Sequence, residues 1–267
     1  MDKKRDRKFE AKAAEPATSW SGVASWYDDL LEKNADSYQR LVILPNILRL
    51  AGDLGGKKVI DVGCGQGFFS REFNKLGAEV VGIDAAAGLV ELARKRPAAG
   101  VSYLVASAEK LPLPISSADL VVMILCVQNI KNFQAAFSEA ARVLNPGGRL
   151  FIVLNHPAFR IPKRSSWGFD EADGIQYRRL DAYLSESSVS IVMHPGKDPA
   201  RRTFSFHRPL QAYFKALSKC GFTVNRLEEW TSPKKSRPGP RAGAENRARR
   251  EFPLFLFLEA RKQLPFV

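Results

Sequence analysis

Short apolar runs bounded by charged or glycine-rich stretches recur through the first 155 residues, separated by segments whose apolar residues return every three or four positions. Residues 58–62, 79–83, 101–105, 119–125 and 149–154 have the length and β-branched content of buried strands. Residues 68–76, 86–95 and 132–144 carry helical spacing. Pro97 stops the second of these, and the turn Asn145-Pro146-Gly147-Gly148 follows the third. Such alternation predicts a parallel sheet with right-handed crossovers. Ahead of it, a helical region opens at Trp26-Tyr27-Asp28, and Pro45 is expected to start a second helix that runs to Gly52. Behind it come a helix from Pro209 to Lys219 ended by Gly221, a sixth strand in FTVNRLEEW and a seventh in FPLFLFLEARK.

Domain boundaries follow from these patterns. Residues 1–20 read as a disordered basic tail, 21–56 as an N-terminal helical cap, and 57–155 as the core. Residues 156–206 make a link far longer than the roughly two to six residues usual in α/β units. Strand five ends at the sheet edge where such folds bind ligands, so this aromatic and charged segment is read as a substrate lid, with a β-hairpin in 189–206. Residues 207–267 supply the last helix and strands of the core. Within them, 231–251 is so polar and so rich in glycine, proline and arginine that a mobile loop is expected.

Composition narrows the function. The net charge is +13, and residues 1–12, 157–208 and 231–251 hold all but two of those charges. The excess therefore sits in a tail and in loops, which leaves a nucleic-acid partner possible but not favoured. The longest apolar runs, 120–127 and 252–258, are too short to cross a bilayer, and no apolar stretch follows the charged start. Cys64, Cys126 and Cys220 are scattered without a C-x-x-C pair, which fits reduced thiols, a cytoplasmic location and no metal site.

The candidate chemistry lies in KVIDVGCGQGFFS, residues 58–70. Gly63, Gly65 and Gly67 alternate with Cys64 and Gln66 between a strand and a helix. Glycine permits unusual φ and close approach of backbone to ligand, and a helix N-terminus offers N–H groups to an anion. The second strand ends in Asp84, 17 residues after Gly67, where a carboxylate can accept both hydroxyls of a ribose. Asp61, two residues before Gly63, and the short glycine spacing separate this loop from the dinucleotide fingerprint G-x-G-x-x-G.

Asp61-Val-Gly-Cys-Gly-Gln-Gly resembles motif I of the class I S-adenosylmethionine (SAM)-dependent methyltransferases. SAEKLP (107–112), ADLVVMILCVQNI (118–130) and LNPGGRLFIV (144–153) extend the likeness to the methyltransferase type 11 group over roughly residues 57–155. The resemblance implies a Rossmann-like seven-stranded sheet, mostly parallel with strand seven antiparallel between five and six, flanked by helices and carrying an insertion after strand five. It implies SAM as cofactor and S-adenosylhomocysteine as product. Asp61 would help place the amino group, with Gly63, Cys64, Gly65 and Gly67 around the methionine part and Asp84-Ala85 at the ribose. Ala108 and Glu109 would lie at the adenine, where Ser107 replaces the acid common in the group. Leu125 would approach the cofactor from the exit of strand four, and Tyr27 would lie near the sulfonium.

Methyl transfer is an in-line displacement that needs alignment, exclusion of water and sometimes a base. His156, directly after strand five, is the best-placed histidine for that base. Trp167, Tyr177 and His194 are candidates to contact the acceptor. The reading is a methyltransferase acting on a small organic acceptor, with an RNA or other nucleic-acid methyltransferase, or a SAM-binding protein without catalysis, as alternatives. Cys126-Val-Gln-Asn stands where exocyclic-amine methyltransferases of nucleic acids carry Asn/Asp-Pro-Pro-Tyr/Phe, which lowers the first alternative.

Overall fold

The computed structural model describes residues 19–194 and 198–264. The chain opens with α1 (Ala24–Glu32) and α2 (Leu44–Ala51). The central run is β1 (Lys58–Val62), α3 (Phe68–Lys75), β2 (Glu79–Asp84), α4 (Ala87–Arg94), β3 (Val101–Val105), β4 (Ala118–Ile124), α5 (Phe133–Val143) and β5 (Leu144–Asn155). Two hairpins follow, β6 (Ser165–Asp170) with β7 (Ile175–Leu180) and β8 (Ser187–His194) with β9 (Asp198–His207). The chain closes with α6 (Leu210–Lys219), β10 (Phe222–Trp230), α7 (Ala242–Glu251) and β11 (Phe255–Lys262).

The seven-stranded sheet has the order β10-β11-β5-β4-β1-β2-β3, with β11 antiparallel to both neighbours. Alternate residues of each strand feed opposite faces. Val121 and Met123 pack under Phe137 of α5 and Leu217 of α6. Leu120 and Val122 pack under Ile47 of α2 and Phe73 of α3. Both faces are therefore covered, which is why these strands read as continuous apolar runs. Phe73, Phe137, Phe151 and Phe257 are fully buried, and truncating any one to alanine costs about 3–5 kcal/mol.

Pro45 stands in the first turn of α2, as expected, where its missing N–H needs no partner, and a π-helical turn at Gln39–Ile43 runs straight into that helix. Two expectations need correction. The turn at Asn145–Gly148 is absorbed into β5, because Leu144 already pairs with Ala118 and a register shift takes up the extra residues. Residues 231–251 are not an unpacked loop. They contain α7, which buries Ala248, donates from Arg249 Nε to Ser236 Oγ at 3.2 Å and holds the Ser236 amide on Asn246 Oδ1 at 2.7 Å. The expected hairpin in 189–206 is present over a slightly wider span, and the β6–β7 hairpin is additional. The proposed disordered tail falls almost wholly outside the described residues. No helix among those described is long and apolar enough to cross a membrane.

Candidate active site

The C-terminal ends of β1 to β4 open into a cleft of about 370 Å³. Its floor is built by the glycine loop. Gly63, Gly65 and Gly67 all have positive φ, at 73°, 57° and 80°, a conformation L side chains resist. The loop is tied to the end of β2: the Gly63 and Cys64 amides donate to the Ile83 carbonyl at 2.7 and 3.1 Å. The Gly65 amide instead donates to Asp84 Oδ2 at 2.9 Å, and the Ala86 amide to Oδ1 at 2.8 Å. Asp84 thus fixes both the loop and the start of α4 while presenting its carboxylate to the cleft. Burial pushes its pKa up, against the pull of these two amides.

Opposite the loop, Tyr27 on α1 forms the roof, within ordinary contact of the Cβ position of Gly65 at 3.5 Å. Trp20 meets it edge-on at 5.5 Å. Burial, with Asp84 adding to it, pushes the phenol up to about 12. The roof is pinned by a bidentate pair from Arg96 to Asp28 at 2.6 and 2.7 Å, and by Glu32, which binds Arg71 at 2.5 Å and Gln66 at 3.1 Å. On the far side Ala85, Ser107, Ala108 and Glu109 line the cleft. Ser107 Oγ accepts the Glu109 amide at 3.1 Å, so the residue standing in place of an acid acts as a turn former. Leu125 lines the cleft with φ 55°, a strained conformation for a non-glycine residue. Its amide is held by Val153, and its carbonyl accepts Gln128 Nε2 at 2.7 Å.

Other residues singled out from sequence lie elsewhere. Asp61 is 1% exposed and does not line the cleft. Its carboxylate accepts the Ser70 hydroxyl at 2.6 Å, and also the Ser70 amide, in the first turn of α3. It therefore caps that helix through space. Desolvation pushes it up to about 7 and Asp84 adds to the rise, while Ser70 opposes it. Cys64 is buried beside Tyr103 and Val90, with its thiol pushed up by burial. Gly67 leaves room for the Tyr103 hydroxyl, which stands 2.3 Å from the position a Cβ would take.

His156 requires the clearest correction. It is 4% exposed and lies outside the cleft. Nδ1 accepts the Ala158 and Phe159 amides at 3.2 and 3.3 Å, so the proton sits on Nε2, which donates to Glu229 at 2.7 Å. Burial lowers its pKa, with Glu229 opposing. Both ring nitrogens are occupied, Nδ1 by the turn and Nε2 by Glu229 on β10, leaving none for a substrate proton. Trp167 and Tyr177 sit on the β6–β7 hairpin away from the cleft. Trp167 packs edge-on against Phe252 at 5.3 Å, and Tyr177 fills the space over Gly168. Trp167 borders a separate cavity of about 240 Å³ with Tyr38, Arg160 and Arg178. The side chain of His194 lies outside the described residues.

The segment inserted after β5 reaches the cleft through β9 instead. Thr203, Phe204 and Phe206 line it, with Asn129, Ile130 and Lys131. The alternation in β9 is inverted: Thr203, Ser205 and His207 are buried while Phe204 is 59% exposed. The aromatic side chains of this strand thus face the cleft rather than the core.

A family model described as a methyltransferase domain matches residues 60–152. The crystal structure of a SAM-dependent methyltransferase from Mesorhizobium loti superposes with a TM-score of 0.66 at 28% identity, covering 84% of this chain and 98% of that one. A ubiquinone/menaquinone biosynthesis C-methyltransferase of Pseudomonas paraeruginosa is 32% identical over 207 residues, 70% of this chain and 78% of the relative. The chain belongs to the SAM-dependent methyltransferase family. A malonyl-[acyl-carrier protein] O-methyltransferase of Serratia marcescens is 35% identical over 132 residues, 49% of each chain. Against several curated relatives, this methyltransferase chain spans half their length or less. The matched residues 60–152 take in the glycine loop, Asp84 and the β4 exit.

Proposed function

We propose that this chain transfers the methyl group of SAM to a small organic acceptor. The observation that carries the reading is one cleft with a backbone cradle at one wall and an aromatic strand at the other. Gly63 and Gly65 give a ligand direct access to backbone, and Asp84 offers a carboxylate already oriented by two amides. In this reading the loop, Asp84-Ala85, Ala108-Glu109 and Leu125 hold the cofactor, and Tyr27 closes over it. The cofactor supplies an activated methyl group. The chain's own contribution is alignment and exclusion of water by Tyr27, Phe204 and Phe206.

Neither Tyr27, at about 12, nor Cys126, also pushed up by burial, serves as a base at neutral pH. An acceptor that enters as a ready nucleophile, an anionic oxygen or carbon, asks nothing of either group. Relatives named for quinone and malonyl-carrier substrates support acceptors with carbonyl or carboxylate groups. Calorimetric titration with S-adenosylhomocysteine, on the wild type and Asp84→Ala, tests the cofactor half. Micromolar binding that the variant loses supports the assignment; wild type and variant binding alike, or no binding to either, rejects it.

A further inference from the structure

The cavity of about 240 Å³ beside Trp167 shares no lining residue with the cleft. Tyr38, Phe159, Trp167 and Phe252 give it aromatic walls, and its charged residues are Arg160, Arg178 and Arg249. Arg160 follows β5, Arg178 stands on β7 and Arg249 on α7. The fold thus gathers cations from two charged segments, 157–208 and 231–251, that are well separated in the chain.

Each guanidinium is anchored by neutral groups only. Arg178 lies 5.0 Å from the Trp167 ring centroid, and donates from Nε to the Phe159 carbonyl at 2.8 Å and from Nη2 to Ser165 Oγ at 2.7 Å. Arg160 donates from Nη1 to Asn155 Oδ1 at 2.6 Å, and Arg249 from Nε to Ser236 Oγ at 3.2 Å. Arg178 Nη1, Arg160 Nη2 and both terminal nitrogens of Arg249 have no protein partner among the described residues. The other polar side chains of the wall, Tyr38 and Ser232, pair with each other at 3.2 Å.

No carboxylate lines the cavity, and among the described residues none pairs with these arginines. Desolvation lowers the pKa of Arg178 and of Arg160, and the Arg178 charge lowers Arg160 further. Lys234 adds a cation nearby, 4.6 Å from the Tyr38 ring centroid. Like charges held together without a counter-charge repel one another, and an anion in the cavity relieves that repulsion.

We propose that this cavity binds a phosphate monoester carried on a small apolar or aromatic body. A phosphate monoester has three terminal oxygens and a charge of about −1.5 to −2 at neutral pH, so it can accept from three guanidiniums at once. A carboxylate offers two oxygens and a single charge. The aromatic walls gain only from an apolar body, which a bare ion lacks. The volume lies below the roughly 300–1,000 Å³ typical of drug-sized ligands, which limits that body to about one ring. The site stands apart from the methyl-transfer reading and does not rest on it.

The full chain is titrated by calorimetry with phenyl phosphate, inorganic phosphate and phenol, at about 0.15 M salt to screen long-range attraction. Phenyl phosphate is expected to bind at least tenfold more tightly than either of the others. Arg249→Gln should weaken it about tenfold, and Arg160→Gln, on a different segment, repeats the test if the first variant fails to fold. Arg247→Gln, an exposed position on the same helix outside the cavity, should leave it unchanged. S-adenosylhomocysteine binding should hold in all three variants. Phenyl phosphate that fails to bind, binds no better than inorganic phosphate or phenol, or is insensitive to Arg249→Gln and Arg160→Gln overturns the site. Equal losses in Arg247→Gln and Arg249→Gln overturn it too, since general attraction to a basic surface then accounts for the binding.

Discussion

Gly63 and Cys126 are pressed together across the floor of the cleft: a Cβ placed on Gly63 stands 2.4 Å from the Cβ of Cys126. The cysteine thiol also donates to the Val62 carbonyl at 3.2 Å. The glycine loop and the exit of β4 are therefore one packed unit, and the cleft floor has no slack at this point.

Gly63→Ala is expected to lower stability by about 2–4 kcal/mol, through overpacking and a positive φ. Cys126→Ala in the same chain should not rescue it, because the conflict is with the Cβ that alanine keeps. Thermal melts of the two single variants and the double variant check this. Rescue by Cys126→Ala would place the conflict at sulfur instead.

Asp84→Asn is expected to weaken S-adenosylhomocysteine binding roughly 10- to 100-fold, the worth of charge-assisted hydrogen bonds. Asp84→Ala should weaken it further, since the Gly65 and Ala86 amides then lose their acceptor. The order of the two variants in calorimetry is the test.

Asp61 carries a pH signature. Its folded pKa of about 7 lies above the ordinary carboxylate value of 3.8. The folded state therefore holds the proton more tightly than the unfolded one, and this group's contribution falls as pH rises from about 4 to about 7. Relative to the wild type, Asp61→Asn should gain stability across that window. Denaturant melts at pH 4, 5.5 and 7 read the difference; a constant offset at all three values would contradict the assignment.

His156→Ala is expected to cost about 2–3 kcal/mol, because three hydrogen bonds disappear from a buried turn. The pH profile of turnover should keep its shape. Since burial holds the folded pKa below 6.5, the neutral ring's contribution to stability is lost as pH falls below that value. A variant that folds normally yet loses turnover in proportion to one titration would restore His156 as a base.

Most of the sheet was legible because its strands are buried on both faces and so read as apolar runs. The glycine loop, Asp84 and the Leu125 exit were legible because backbone chemistry limits which residues can occupy such turns. What escaped was set by side chains meeting across the fold. Asp61 turned out to face α3, a choice that the position of Ser70 makes and that spacing alone does not reveal. His156 follows strand five as expected, but Glu229 on β10 and two amides claim its ring. Helix α7 was hidden by its charge, although Ala, Glu and Arg are strong helix formers and Glu245 and Arg249-Arg250 sit at the ends that suit the helix dipole. Phe204 and Phe206 were missed because their alternation looked like that of any half-buried strand.

The position of α7 bears on how this protein can be re-engineered. Arg241, at the start of α7, pairs with Glu171 and lies 4.3 Å over the Phe169 ring, while Trp167 packs on Phe252 at the helix end. Two inserted segments, one after β5 and one between β10 and β11, are thereby stitched into a single module. A chimera that borrows the β6–β7 hairpin alone would arrive with an unmatched aromatic face, so a graft of this insertion between relatives must carry α7 with it.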